Sequence, residues 1–125
     1  MPILRTGVDL IEITRFTAAY QRYQKRLLKR LFTPLELAEN GENMASLAAR
    51  FAAKEAVSKA FGTGIGHITW HDIEVRRGPA GEPVLQLHGP AGRMAEEQHL
   101  DTWSVSLSHT QSHAIAFVVA MGSED

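Results

Sequence analysis

The chain has 125 residues, of which 44% are hydrophobic and 22% charged, and its formal net charge is -1. That balance suits one compact globular domain over residues 1–125 and rules out a molecule whose overall charge draws in polyanions. Cysteine is absent, which excludes disulfides, zinc-thiolate sites and thiol nucleophiles. No apolar run approaches the roughly 18 residues that span a bilayer. The opening Met1-Pro2-Ile3-Leu4-Arg5 lacks the regions of a signal peptide. A cytoplasmic protein without membrane contact is the expectation.

Residues 3–13, rich in Ile, Leu and Val, are predicted as a strand. Phe16, Tyr20, Tyr23, Leu27 and Leu31 then recur at helical spacing on one face. Thr33-Pro34-Leu35-Glu36 has a capping residue, proline at the first helical position and Glu three residues after the cap, so a short helix starts there and stops at Asn40-Gly41. Asn43 caps a longer helix running to about Phe61, with Gly62 as its C-terminal cap. Its many alanines predict close packing and a central, largely buried position. Beyond the glycine loop 62–66, residues 70–77 and 83–88 read as strands around the turn Gly78-Pro79-Ala80-Gly81. Gly89-Pro90 opens a helix to about His99. Residues 102–108 alternate Trp103, Val105, Leu107 with serines, and 114–120 form a last apolar strand. The order argues for an α+β fold, an antiparallel sheet packed around the long helix.

Asp9 interrupts Val8-Asp9-Leu10-Ile11 in an otherwise apolar strand. A buried carboxylate needs a cation, donors or a metal; the plain alternative is a strand-end Asp capping a turn. Glu55 and Lys59 continue the helical stripe of Met44, Ala48 and Phe51. Pairs four residues apart are common on solvated faces, but such a face should not hold Phe51 and Met44. Two carboxylates without cysteine suit a hard cation such as Mg2+, which takes few protein carboxylates and completes its shell with water and phosphate oxygens. Lys59, Lys54 and Arg50 are placed to neutralise further phosphate charge.

The loop Gly62-Thr63-Gly64-Ile65-Gly66 has amides for a phosphate, but it is neither a Walker A loop nor a dinucleotide fingerprint, and a sharp helix exit explains it equally. His109 in Ser108-His109-Thr110 lies at a predicted strand end. A hydrolase reading is set aside, since adjacent strand residues face opposite ways and no nucleophile elbow is present. Between Ile13 and Leu35 there is no acidic residue, while Arg15, Arg22, Lys25, Arg26, Lys29 and Arg30 supply six of the thirteen basic residues. That asymmetry marks an acidic partner surface, either an acidic protein or nucleic acid.

Gly7-Val8-Asp9-Leu10-Ile11-Glu12-Ile13-Thr14-Arg15, the segment from Arg50 to Gly64 and Ser106-Leu107-Ser108-His109-Thr110 together resemble the holo-acyl-carrier-protein synthase family, the 4'-phosphopantetheinyl transferases of short type. The resemblance implies that the phosphopantetheine arm of coenzyme A passes to a serine of apo-acyl carrier protein, leaving adenosine 3',5'-bisphosphate, in support of fatty acid biosynthesis. It implies that Asp9 and Glu55 hold Mg2+ on the pyrophosphate and that Lys59 neutralises the attacked phosphate. Glu55, directly or through a water, takes the serine proton. Arg50, Lys59, Gly62, Gly64, His109 and Thr110 would help hold coenzyme A, and Arg15, Arg22 and Arg26 would dock the carrier. It further implies a homotrimer with active sites shared between subunits. The rival reading is a small basic-helix nucleic-acid-binding protein, which leaves Asp9 and Glu55 unexplained and predicts an excess of positive charge that is absent.

Overall fold

The computed structural model describes residues 1–62 and 68–124. Its elements are β1 (Pro2–Glu12), α1 (Ile13–Tyr23), α2 (Lys25–Leu31), α3 (Pro34–Asn40), α4 (Met44–Phe61), a 3-10 turn (Trp70–Asp72), β2 (Ile73–Arg77), β3 (Pro83–Leu87), α5 (Gly89–Glu97), β4 (Thr102–His109) and β5 (His113–Ser123). The strands form a three-stranded antiparallel sheet of order β1-β5-β4 and a hairpin of β2 and β3. The architecture is α+β, with α4 laid across the three-stranded sheet.

The alanines of α4 explain its place. Ala52, Ala53, Ala56 and Ala60 are buried together with Ala116, Val118 and Ala120 of β5. Small side chains on both surfaces let helix and sheet close on each other. The approach is tightest at Gly7 of β1, where an added Cβ would overlap the Ala56 carbonyl oxygen. Asn43 accepts a hydrogen bond from Ser46 N at the start of α4, and Gly62 ends it in the left-handed region at φ 83.

Beyond shifts of a few residues at element ends, two features differ from expectation. The helical pattern after β1 is two helices, broken at Gln24, which adopts φ 57 and ψ -143. The break turns Leu28 and Leu31 into the core beside Phe16 and leaves Tyr23 exposed, although Tyr23 lies on the predicted stripe. The strand predicted over 70–77 begins at Ile73, because Thr69 and Asp72 form a reciprocal capping box around the 3-10 turn.

In β1 the burial alternation runs against hydrophobicity. Gly7 and Asp9 face inward, while Val8 is 49% and Leu10 61% exposed. Val8 pairs with Phe117 and Leu10 with Ile115, both also exposed. The outer face of the sheet is therefore an apolar surface flanked by the serines of β4.

Candidate functional site

The site grows from Asp9. Its position in the middle of β1, paired with Ala116, rules out the strand-end alternative. Only 9% of it is exposed. The close contact at Gly7 brings this part of β1 against the last turns of α4, where Lys59 Nζ donates to Asp9 Oδ1 at 2.8 Å and to the Val8 carbonyl at 3.1 Å. The other carboxylate oxygen, Oδ2, is buried and has no hydrogen-bond partner among the described residues.

Glu55 lies one helical turn before Lys59 and is half-buried. Burial, reinforced by the hydrogen bond its protonated form donates to Asp9 and by repulsion between the two carboxylates, pushes its carboxyl up to about 7 from an ordinary 4.5, with Lys59 pulling the other way. Lys59 is raised, chiefly by its hydrogen bond to Asp9. The stripe on α4 thus runs out of the core: Ala48 is buried, Phe51 and Glu55 are half-buried, and Lys59 is exposed. Two carboxyl groups and an ammonium thus lie together. Such a group can hold a cation, give up a proton when it does, and accept one from a bound hydroxyl.

Next to Glu55 opens a cavity of about 410 Å³, walled by Phe16, Phe51 and Leu27, with Glu12 and Arg15 at its edge. Arg15 therefore reaches the site. Arg22 and Arg26 are exposed on α1 and α2; Arg22 lies 5.3 Å over the Tyr23 ring, and Arg26 lines a second cavity with Tyr23, Leu27 and Arg30.

The other predicted residues are not gathered at Asp9. Arg50 is 8% exposed and points towards α3: its Nη1 donates to Ser46 Oγ at 3.0 Å, and its Nε is buried without a partner among the described residues. Burial, followed by repulsion from Arg77, lowers its pKa. His109 and Thr110 are exposed at the β4–β5 turn, where Thr110 N donates to His113 O at 2.8 Å. Among the described residues they make no hydrogen bond to Asp9, Glu55 or Lys59. Gly62 is the helix cap, as expected, and Gly64 lies outside the described residues.

One expectation is corrected. Lys54 is not available to a phosphate. It is fully buried, and its three donors go to Glu36 Oε1 at 2.8 Å, Trp70 O at 2.8 Å and Ile73 O at 2.6 Å. Glu36 in turn accepts from Thr33 N and Val75 N. Full satisfaction of both charges is what makes such a buried pair tolerable. The sequence presents Glu36 only as half of a capping box; its complete burial against Lys54 carries no mark there.

Residues 5–118 match the profile of the family described as the 4'-phosphopantetheinyl transferase superfamily. A curated relative from Herpetosiphon aurantiacus, named holo-[acyl-carrier-protein] synthase, is 48% identical over 96% of this chain and 100% of its own. One of the same name from Desulforudis audaxviator is 46% identical over 96% of this chain and 94% of its own. Among solved structures, the Neisseria meningitidis holo-[acyl-carrier-protein] synthase superposes with a TM-score of 0.84 at 36% identity, covering 93% of this chain and 96% of that one. The Helicobacter pylori holo-[acyl-carrier-protein] synthase in complex with coenzyme A gives a TM-score of 0.84 at 30% identity, covering 92% and 98%. The profile and the near-complete overlap establish that the chain belongs to the 4'-phosphopantetheinyl transferase superfamily, and the relatives it matches along almost their whole length are those that bear the holo-[acyl-carrier-protein] synthase name.

Proposed function

We propose that this chain is a holo-acyl-carrier-protein synthase: it transfers the 4'-phosphopantetheine arm of coenzyme A to a serine of an apo-acyl carrier protein. The observation that carries the reading is the convergence of Asp9, Glu55 and Lys59 at the contact of β1 with α4. The substrate serine is itself the nucleophile, so the protein must position and neutralise rather than attack.

Asp9 and Glu55 are the residues that would hold Mg2+. The orphaned Oδ2 of Asp9 and the displaced titration of Glu55 both suit a cation there. No cluster of three or more Asp, Glu, His or Cys side chains forms among the described residues. A two-carboxylate site of this kind leaves most of the coordination shell to water and pyrophosphate oxygens, the habit of magnesium. When bound, the ion supplies charge neutralisation for the pyrophosphate.

The serine oxygen bonds to the phosphorus that carries the pantetheine arm. The bond from that phosphorus to the bridging oxygen breaks, and adenosine 3',5'-bisphosphate leaves with the electron pair. Glu55, directly or through a water, takes the serine proton. Lys59, with more than half of its side chain exposed while tethered to Asp9, supplies positive charge for the attacked phosphate and its leaving group. Arg50, Gly62, Gly64, His109 and Thr110 help to hold coenzyme A. Arg15, Arg22 and Arg26 meet the acidic carrier.

The exposed apolar face of Val8, Leu10, Ile115 and Phe117 supports assembly into a homotrimer, since surfaces of this kind are rarely left open in water. His109 and Thr110, which make no hydrogen bond to Asp9 among the described residues, serve a neighbouring subunit's site in that arrangement. Cytoplasmic work in fatty acid biosynthesis completes the proposal; no helix among the described residues is long and apolar enough to cross a membrane. The nucleic-acid alternative gains no support from the relatives.

The test is product analysis. Incubation with coenzyme A, Mg2+ and an apo-acyl carrier protein should release adenosine 3',5'-bisphosphate in step with loss of coenzyme A. Coenzyme A that stays intact across several carriers would overturn the reading.

A further inference from the structure

The 3-10 turn Trp70–Asp72 is tied by hydrogen bonds to both α4 and α2. On one side it is fastened to α4: the buried Lys54, adjacent to Glu55, donates to the carbonyls of Trp70 and Ile73. The Trp70 ring meets Phe51 edge to face at 5.0 Å, and Phe51 walls the cavity beside Glu55. On the other side the turn is fastened to the basic helix α2 through His71, whose Nε2 lies 2.6 Å from the Lys29 carbonyl oxygen. A carbonyl only accepts, so Nε2 carries the hydrogen.

That carbonyl belongs to the last turn of a seven-residue helix, where backbone acceptors lack intrahelical donors. Leu28 and Leu31 press α2 into the core. Apolar contact is non-directional, so by itself it leaves the rotation and slide of so short a helix soft. The His71 bond is directional and fixes both. Because the turn is itself locked to α4, the position of Arg26 and Arg30 becomes set relative to Glu55.

We propose that His71 is a positioning residue for carrier docking: it pegs α2 to the Lys54-anchored turn and so holds the basic surface in register with the reacting groups. The inference rests on the reading that α1 and α2 receive the acidic carrier protein.

The test is steady-state transfer by His71→Ala and His71→Gln, with the carrier varied at saturating coenzyme A and then the reverse. The glutamine amide nitrogen falls near the place of the imidazole Nε2 and can donate to Lys29. The alanine variant should raise KM for the carrier about fivefold, the worth of one hydrogen bond, with KM for coenzyme A within about twofold of the parent, and the glutamine variant should restore it. An unchanged carrier KM, an equal rise in both KM values, or no rescue by glutamine would overturn the inference. A parallel Arg22→Glu/Arg26→Glu variant separates the two levels. If it weakens carrier use while His71→Ala does not, only the peg is wrong; if neither does, the docking role of the basic helices falls with it.

Discussion

Lys59 reaches across 50 positions of sequence to hold Asp9 at 2.8 Å, and it does so from a side chain that is 57% exposed while the side chain of Asp9 is only 10% exposed. The ammonium therefore stays at the surface, where the proposed transfer needs it, while the carboxylate is kept inside with Oδ2 unpartnered among the described residues. This is an arrangement for function at the expense of stability. Asp9→Ala, Glu55→Ala and Lys59→Ala should each leave a folded protein and cut transfer by about a hundredfold or more. Asp9→Ala should not lower the thermal midpoint, because it removes a buried carboxylate and strands no buried partner. Circular dichroism melts beside initial rates check both halves of the statement.

Gly7 makes that contact possible. A methyl group there would strike the Ala56 carbonyl, which cannot yield because it belongs to the helix backbone. Gly7→Ala should force β1 from α4, cost roughly 3 kcal/mol of stability and weaken transfer beyond what the stability loss explains. Urea denaturation read together with activity at low temperature tests it.

Glu55 gives a pH dependence with a defined sign. Its carboxyl titrates near 7 in the folded chain and at an ordinary 4.5 otherwise. The folded state thus holds the proton more tightly. Its contribution to stability is complete below 4.5 and is lost as pH rises through about 7. On the proposal that Asp9 and Glu55 hold Mg2+, the ion competes with that proton, so apparent Mg2+ affinity should climb close to tenfold per pH unit towards 7 and then level off. Calorimetric titration between pH 5.5 and 8, about a unit and a half below the inflection and one above it, reads this directly. In Glu55→Gln the Mg2+ affinity should be weak and nearly flat with pH.

The outer face of the sheet predicts an assembly. Val8 stands against Phe117 across the β1–β5 ladder, and both are about half exposed. Phe117→Glu should convert the proposed homotrimer to a folded monomer in light scattering. If active sites are shared between subunits, transfer should fall with it. An unchanged molar mass would locate the interface elsewhere.

Much of this was legible in the sequence, for identifiable reasons. Helix α4 announces itself through Asn43, its alanines and Gly62, and the start of α3 through Thr33-Pro34 and Glu36. Asp9 stood out because a carboxylate inside an apolar strand demands an explanation. The break at Gln24 was not legible: glutamine carries no turn signal, and tertiary burial of Leu28 and Leu31 overrides the continuous stripe. Nor could the inner face of β1 be identified, since Val8 and Leu10 look more like core than Gly7 and Asp9 until α4 is in place. Lys54 and Lys59 look alike as helical lysines; Glu36, 18 residues upstream, and the carbonyls of Trp70 and Ile73 take up the buried one, while Lys59 pairs with Asp9 and stays exposed.

The central claim is tested most directly by the intact mass of an apo-acyl carrier protein after incubation with this protein, coenzyme A and Mg2+, with EDTA as control. The account predicts a gain of one phosphopantetheine that EDTA abolishes. A carrier mass that stays unchanged across several apo-carriers would contradict it and reduce the family relationship to shared ancestry without shared activity.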